Sequence, residues 1–413
     1  MTYDCVIVGA GAAGLYCAAR ILASRPSCRI AIIDSNHTAG KKLLLTGGGR
    51  CNLTNSSIEL SGYNTDDIDM LRHIIEHHDA DNVIDFFTQE LGVMVSNKDS
   101  LYYPATYRAS TVVNALYNYL SEKNAEFIFD ERVVSIVKTD SSYVINNHYR
   151  SRSVVVAAGG ASYPKTGSDG NFVALLSALT DPSDIIELHP ALVPLVTAEK
   201  DTKRLSGAKI CCSIKLYPDA SMNECIDRSR GELLFTDYGI SGILVLDISG
   251  NAVRELSNGF HPAVSIDLLD DITYSQSLDL IKTITARFPE RRIIDALAGL
   301  VRDDVLFVAL NRIKINKDTV CRKLTSDDNK RIAEILTSFV LTVTGYKGYE
   351  QAQITSGGIK LSACDELLNL RSSSGLFVCG ESLNCNGICG GYNLQFAWSS
   401  ASLAAEGVIS CLK

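Results

Sequence analysis

The sequence predicts an α/β fold of the Rossmann type, in which a parallel sheet is assembled from both ends of the chain and the middle forms β-rich and helical insertions. Three observations predict it. The apolar run Cys5–Val8 leads directly into GAGAAG and then a helix-forming stretch. The pattern of buried strand and glycine turn returns in VVVAAGG (Val154 to Gly160) and again in GLFVCGE (Gly375 to Glu381). Between these segments the hydrophobic period changes from short β-type runs to helical spacing.

Length and composition bound the reading. A chain of 413 residues exceeds the roughly 250–300 residues at which single cores stop growing, so two or three domains are expected. With 46% apolar and 21% charged residues, the chain has enough apolar side chains for large cores and is not of the disordered class. Lys and Arg total 39 against 47 for Asp and Glu, a net charge of −8, the wrong sign for general phosphate-backbone binding. No nucleic-acid partner is expected. The start, MTYDCVIVGAG, lacks a basic region followed by an apolar helix and cleavage site, so a cytoplasmic location is expected. The longest uncharged run, between Glu381 and Glu406, is crowded with Asn, Gln, Ser and Gly and makes a poor membrane span. Thirteen cysteines in such a chain default to free thiols.

The first strand, turn and helix carry the most specific signal. Gly9, Gly11 and Gly14 form G-x-G-x-x-G in the required context. The spacing allows a tight turn, close backbone approach to a pyrophosphate, and close packing of helix on strand. The helix amides then face the phosphates. A second strand, residues 29–33, ends in Asp34, twenty residues past Gly14, where a carboxylate accepts from both ribose hydroxyls. These residues alone do not separate FAD from NAD. Further on, in KKLLLTGGGRCNLTN, three successive glycines strip side chains from a loop beside Arg50, Asn52 and Thr54, leaving either a surface for a flat ring or a flexible loop.

GAGAAG with Asp34 and TGGGRCNLTN resembles the BaiN/RdsA family of FAD-dependent proteins, relatives of the glutathione-reductase-like flavoproteins. The resemblance continues through VVVAAGGASYPKTGSDG, LFTDYGISG, TSGGI and GLFVCGESLNCNGICGGYNLQFAWSSA, and so covers almost the whole chain. It implies a glutathione-reductase-like FAD-binding Rossmann domain with an inserted barrel-like β-rich subdomain and a small helical subdomain. FAD contacts are implied at Gly9, Gly11, Ala12, Ala13, Gly14 and Asp34, then at Lys42, Gly49, Arg50, Cys51 and Asn52, and at Val134. A last group comprises Gly380, Glu381, Gly391, Tyr392 and Asn393. After Gly390 and Gly391 a helix begins, and its first amides and dipole are expected near the flavin N1 and C2 carbonyl. Phe396 and Trp398 read as core.

With flavin motifs at both ends, the FAD-binding domain is expected to be discontinuous, 1–191 with 349–413. Residues 192–268, including GILVLDIS, read as a β-rich insertion, and 269–348, including LTSFVLTV, as a helical one. Substrate is then expected between domains. The basic stretch Arg312 to Lys323 reads as a solvated face, His77 and His78 as a solvated pair, and His189 as part of a turn.

Some chemistry is missing. No C-x-x-C follows the first fold, which disfavours transfer to disulfides. Cys379, Cys385 and Cys389 lack an adjacent His, and no metal is expected. Without a second well-placed glycine fingerprint, NAD(P)H is expected to bind only transiently. The resemblance implies an oxidoreductase passing hydride from NAD(P)H through FAD to conjugated C=C bonds of a steroid or bile-acid substrate, a 3-oxo-4,6-diene. Two alternatives stay open: an aminoacetone-type amine oxidase using oxygen, and an FAD protein that binds or modifies RNA. No catalytic residue is assigned beyond a candidate proton donor, Tyr392, beside the expected helix start.

Overall fold

The computed structural model describes residues 2–270 and 272–412. The chain divides into two compact units, Met1–Pro190 with Ala352–Lys413, and Ala191–Gln351.

In the first unit the strand Thr2–Val8 lies in the parallel part of a mixed seven-stranded sheet, flanked by Ile30–Ile33 on one side and Tyr149–Val156 on the other. Val6 sits opposite both Val154 and Ala31. The sheet extends past Ile30–Ile33 to Glu126–Ile128, and Tyr149–Val156 also pairs in parallel with Leu376–Val378. Cys5, Val6 and Ile7 are fully buried, as a strand covered on both faces requires. Because these strands run in parallel, their carboxyl ends share one edge. That edge carries Gly9, Asp34, the loop after Val156 and the Gly380–Glu381 turn, the place where open α/β sheets bind ligands.

Two helices cover one another beside the sheet. Ala12–Ser24 buries its small face through Ala13, Gly14, Cys17 and Ala18. Tyr392–Cys411 packs against it and is buried nearly all round, which explains its weak amphipathicity and serine-rich sequence. Ser400 and Ser402 satisfy their hydroxyls on the carbonyls of Phe396 and Trp398 within the helix. Trp398 is fully buried, lies 5.1 Å from the Tyr16 ring, and donates its Nε1 to Leu53 O at 2.9 Å. Phe396 is also buried.

The second unit is a closed six-stranded antiparallel barrel with helices packed on it. Its strands run in the order Leu195–Thr197, Gly239–Ser241, Asp227–Phe235, Lys209–Tyr217, Ala263–Asp267 and Phe339–Tyr346. Alternation in KICCSIKLY turns Cys212, Ile214 and Leu216 inward. Helices Tyr274–Arg287 and Ser326–Thr337 begin at capping boxes, Thr273 with Gln276 and Thr325 with Asp328.

Three expectations are corrected here. GILVLDIS is not a strand: Ile243–Ser257 is a helix, starting at Gly242, whose φ of +99° suits a chain reversal. A short apolar run carries no period of its own, and the following NAVREL continues the helix. Conversely, the helical pattern stops at Thr337, and Phe339–Tyr346 is the strand that closes the barrel, so β-rich and helical segments interleave and share one core. His189 lies within the strand Ile185–Ala191 rather than at a turn.

The basic stretch is partly structural. Arg312 makes two 2.6 Å bonds to Asp201, donates to Val340 O, and lies 3.9 Å from the Phe339 ring centroid. Lys317 lies over Phe307, and Arg322 pairs with Glu290. The hydrogen bonds from Arg312 hold the Asp201 carboxyl below its ordinary range. A carboxyl whose folded value is depressed contributes stability above its unfolded value and loses it as pH falls through the folded one. Asp201→Asn is therefore expected to lower stability by about 1–2 kcal/mol near neutral pH, between exposed and buried pairs. In urea unfolding series at falling pH, the gap between wild type and variant should close in acid; a gap independent of pH would remove the ion pair from the account.

Candidate functional site

The glycine fingerprint divides its labour. Gly9 has φ +106°, and a Cβ there would lie 2.4 Å from Ala157 O. Glycine lets the turn touch the neighbouring strand end. At Gly14 a Cβ would lie 1.9 Å from Gly9 O, so this position sets how closely helix meets strand. Gly11 differs, since a Cβ there meets nothing within 4 Å. The space above Gly11, at the amino end of Ala12–Ser24, is open, and the first-turn amides of a helix lack intrahelical partners. An open cradle facing orphan donors fits a pyrophosphate. Ala12 and Ala13 form this first turn, and Ala13 approaches Gly380, where a Cβ would lie 2.7 Å from the Ala13 Cβ.

Asp34, at the end of its strand, already accepts three hydrogen bonds: Ala10 N at 2.6 Å, Asn36 N at 2.8 Å and Asn36 Nδ2 at 2.9 Å. A carboxylate has about four acceptor positions, so roughly one remains for a ribose hydroxyl rather than the pair expected. Asp34 shapes the turn as well as facing it. Asn36, which no spacing rule singled out, also donates to Thr166 O and accepts from Lys41 Nζ. Val134 is exposed, and its N–H donates to Asn146 Oδ1. It follows the loop in which Glu131 N donates to Asp34 O.

In TGGGR, Gly47, Gly48 and Gly49 take φ values of +56°, +65° and +85°, three consecutive left-handed residues that other side chains adopt only at a cost. The loop is exposed from Gly47 through Arg50, and Arg50 Nε donates back to Gly47 O. Cys51 is different: it is fully buried, with its thiol pushed up to about 12 by burial. Its side chain lies beneath the loop. Asn52, with its amide oriented to satisfy its neighbours, donates to Tyr102 O and Thr54 O and accepts from Gly391 N at 3.0 Å. It joins this loop to the start of the last helix.

At the other strand end, Glu381 ties distant motifs together. Its Oε2 lies 2.6 Å from Lys42 Nζ, and its Oε1 accepts from Thr355 N at 2.9 Å. Thr355 Oγ1 in turn accepts from Ala161 N and Ser162 N. Gly380 N donates to Ser400 Oγ of the last helix. That helix is capped at Gly391, with φ +96°. Asn393 pins the preceding loop by accepting from Gly387 N and donating to Gly387 O, both at 2.8 Å.

The hydroxyl of Tyr392, the candidate proton donor, is engaged by neighbouring backbone. The residue is 7% exposed, its ring lies 5.1 Å from that of Tyr63, and its hydroxyl donates to Ser57 O and accepts from Glu59 N. It braces the helix start. Gln395 and Ser399, absent from the sequence reading, complete the support: Thr54 donates to Gln395, and Gln395 and Ser399 both donate to the carbonyl of His78. Their partners lie hundreds of positions away, and no local spacing announces them.

The family described as HI0933-like protein Rossmann domain matches residues 3–407, and the chain belongs to it. It is 27% identical to a 3-dehydro-bile acid delta(4,6)-reductase of Clostridium scindens, over 97% of each chain. It is 26% identical to a ribosomal RNA dihydrouridine synthase of Escherichia coli, over 99% of this chain and 98% of the other. Among solved structures, a 3-ketosteroid delta1-dehydrogenase from Sterolibacterium denitrificans aligns with a TM-score of 0.51 at 11% identity, covering 99% of each chain, a likeness of fold.

Gly11 separates binding from folding. Gly11→Val is expected to leave the urea midpoint near that of wild type while weakening FAD binding at least tenfold. Equal FAD affinity in a titration of the two proteins would show that the space above Gly11 is not the dinucleotide site.

Proposed function

We propose that the chain is an FAD-dependent reductase that saturates a C=C bond conjugated to a carbonyl, with a 3-oxo-4,6-diene bile acid as its first substrate class and NAD(P)H as donor. The observation carrying this reading is the shared edge of parallel strands, where Gly11, Asp34 and Glu381 surround a helix amino terminus. The full-length similarity to a bile-acid reductase supports the substrate class.

Bound FAD supplies the hydride chemistry. The chain's own residues hold and bias it. The first-turn amides after Gly11 take the pyrophosphate, and Asp34 keeps one acceptor position for ribose. Lys42 and Glu381 present a fixed ion pair beside the Gly380 turn. The amino end of Tyr392–Cys411 contributes a positive dipole end, which stabilises negative charge by about 0.3–2 kcal/mol. The domain 1–191 with 349–413 is taken as the FAD-binding part. The proton is assigned to solvent, since the Tyr392 hydroxyl is engaged with the Ser57–Glu59 segment.

A second reading rests on one observation, the full-length similarity to a ribosomal RNA dihydrouridine synthase. Uracil also carries a C=C bond conjugated to a carbonyl, so the two named reactions share one type of step. The net charge of −8 and the internal pairing of Arg312 and Arg322 favour the small molecule.

The test is anaerobic stopped-flow. After reduction of bound flavin by NADH or NADPH, reoxidation is expected to be faster with the 3-oxo-4,6-diene bile acid than with disulfides or uridine-containing RNA. Deuteride should appear on the β or δ carbon. Failure of both nucleotides to reduce the flavin, or oxygen consumption with aminoacetone that outruns every enone, would replace the reductase reading with the oxidase one.

A further inference from the structure

Away from the dinucleotide edge, one group of side chains has no part in the chemistry above. Helix Ile68–His77 ends at His77 with His78 directly after it, and the last helix presents Glu406 to both. His78 Nε2 lies 2.9 Å from Glu406 Oε1, and His77 Nε2 lies 3.4 Å from Glu406 Oε2. Each carboxylate oxygen thus faces one imidazole. Among the described residues this is the group of three whose ligand atoms all lie within 4.8 Å of one another. The solvated histidine pair expected from the sequence is therefore corrected: His78 is buried, and only His77 is half exposed.

We propose that His77, His78 and Glu406 bind one divalent transition-metal ion of imidazole preference, best matched by Zn2+. Two neutral imidazoles and a carboxylate are a common donor set for this ion, with bonds of about 2.0–2.2 Å and a fourth position left for water. Bonds of that length place ligand atoms about 3.3 Å apart in a tetrahedron, so ligand atoms at the 4.8 Å limit need a contraction of about 1.5 Å. His77, on the exposed side, has room to make it and leaves the fourth position open to solvent.

The surroundings suit a cation. The site stands at the carboxyl end of a ten-residue helix, the negative end of its dipole. Arg20 is the opposing charge, and its guanidinium lies over the Phe86 ring. The His73 ring lies beside that of His77, tilted, with centroids 5.5 Å apart, but its Nε2 is directed to Glu366 O at 3.1 Å, so it is not counted as a ligand.

His78 is positioned from both sides. While its ring faces Glu406, its carbonyl accepts from Gln395 Nε2 and Ser399 Oγ, on the same helix as Glu406. An ion here clamps Ile68–His77 onto Tyr392–Cys411. Through Gln395, which also holds Thr54, the clamp reaches the loop that carries Asn52.

The experiment uses the full-length chain after treatment with chelator. Calorimetric titration with ZnCl2 is expected to give one ion per chain and a raised thermal midpoint. His77→Ala and Glu406→Gln should each weaken binding at least tenfold and abolish the thermal shift. Co2+ bound to the wild type should give a d–d spectrum without thiolate charge transfer, a readout independent of whether the variants fold. Absence of uptake, unchanged affinity in both variants, or a thiolate band pointing to exposed Cys211 or Cys225 would each overturn the proposal.

Discussion

The carboxylate of Glu381 is the junction on which the candidate site depends. One oxygen meets Lys42 Nζ and the other accepts from Thr355 N, whose own side chain receives the amides of Ala161 and Ser162. Four segments far apart in sequence are fixed by two side chains. The pair is about one-fifth exposed on each side. Its removal should therefore cost more than the ~0–1 kcal/mol of a surface pair and less than the roughly 3–5 kcal/mol of breaking a buried one. A glutamine at this position would keep the bond from Thr355 N but lose the charge that holds Lys42.

This junction works because the sheet delivers its strand ends to one line. Parallel pairing of Thr2–Val8 with both neighbours, and of Tyr149–Val156 with Leu376–Val378, aligns Gly9, Ala157 and Gly380 at the same edge. Glycine is demanded where those ends touch: at Gly9 by Ala157 O, and at Gly380 by Ala13. The last helix then ties the edge to the loops, through Ser400 to Gly380 and through Trp398 to Leu53. Local backbone chemistry and long-range packing converge on the same few atoms.

That division explains what the sequence revealed. The fingerprint, Asp34, the glycine loop and the final helix were legible because turn geometry and helix starts leave marks within a few residues. The resemblance implies Cys51 and Tyr392 as contacts, and the proton-donor role of Tyr392 rests on its place beside the expected helix start. The Cys51 thiol is buried beneath the loop, and the Tyr392 hydroxyl is held by Ser57 and Glu59. Gln395 was invisible because its partner Thr54 lies 341 positions away. In the second unit, ILVLDIS and SFVLTV were short apolar runs whose state is set by tertiary pairing: one packs as a helix, the other closes the barrel. His78 looked solvated because only the fold brings Glu406 over it.

The central claim is that this strand edge holds one flavin dinucleotide. The direct measurement is the visible spectrum of the purified full-length chain, followed by identification and quantitation of the cofactor released on denaturation. The account predicts one FAD per chain, either retained through purification or bound stoichiometrically when FAD is added. A folded chain that carries no flavin and takes up none from solution would contradict it.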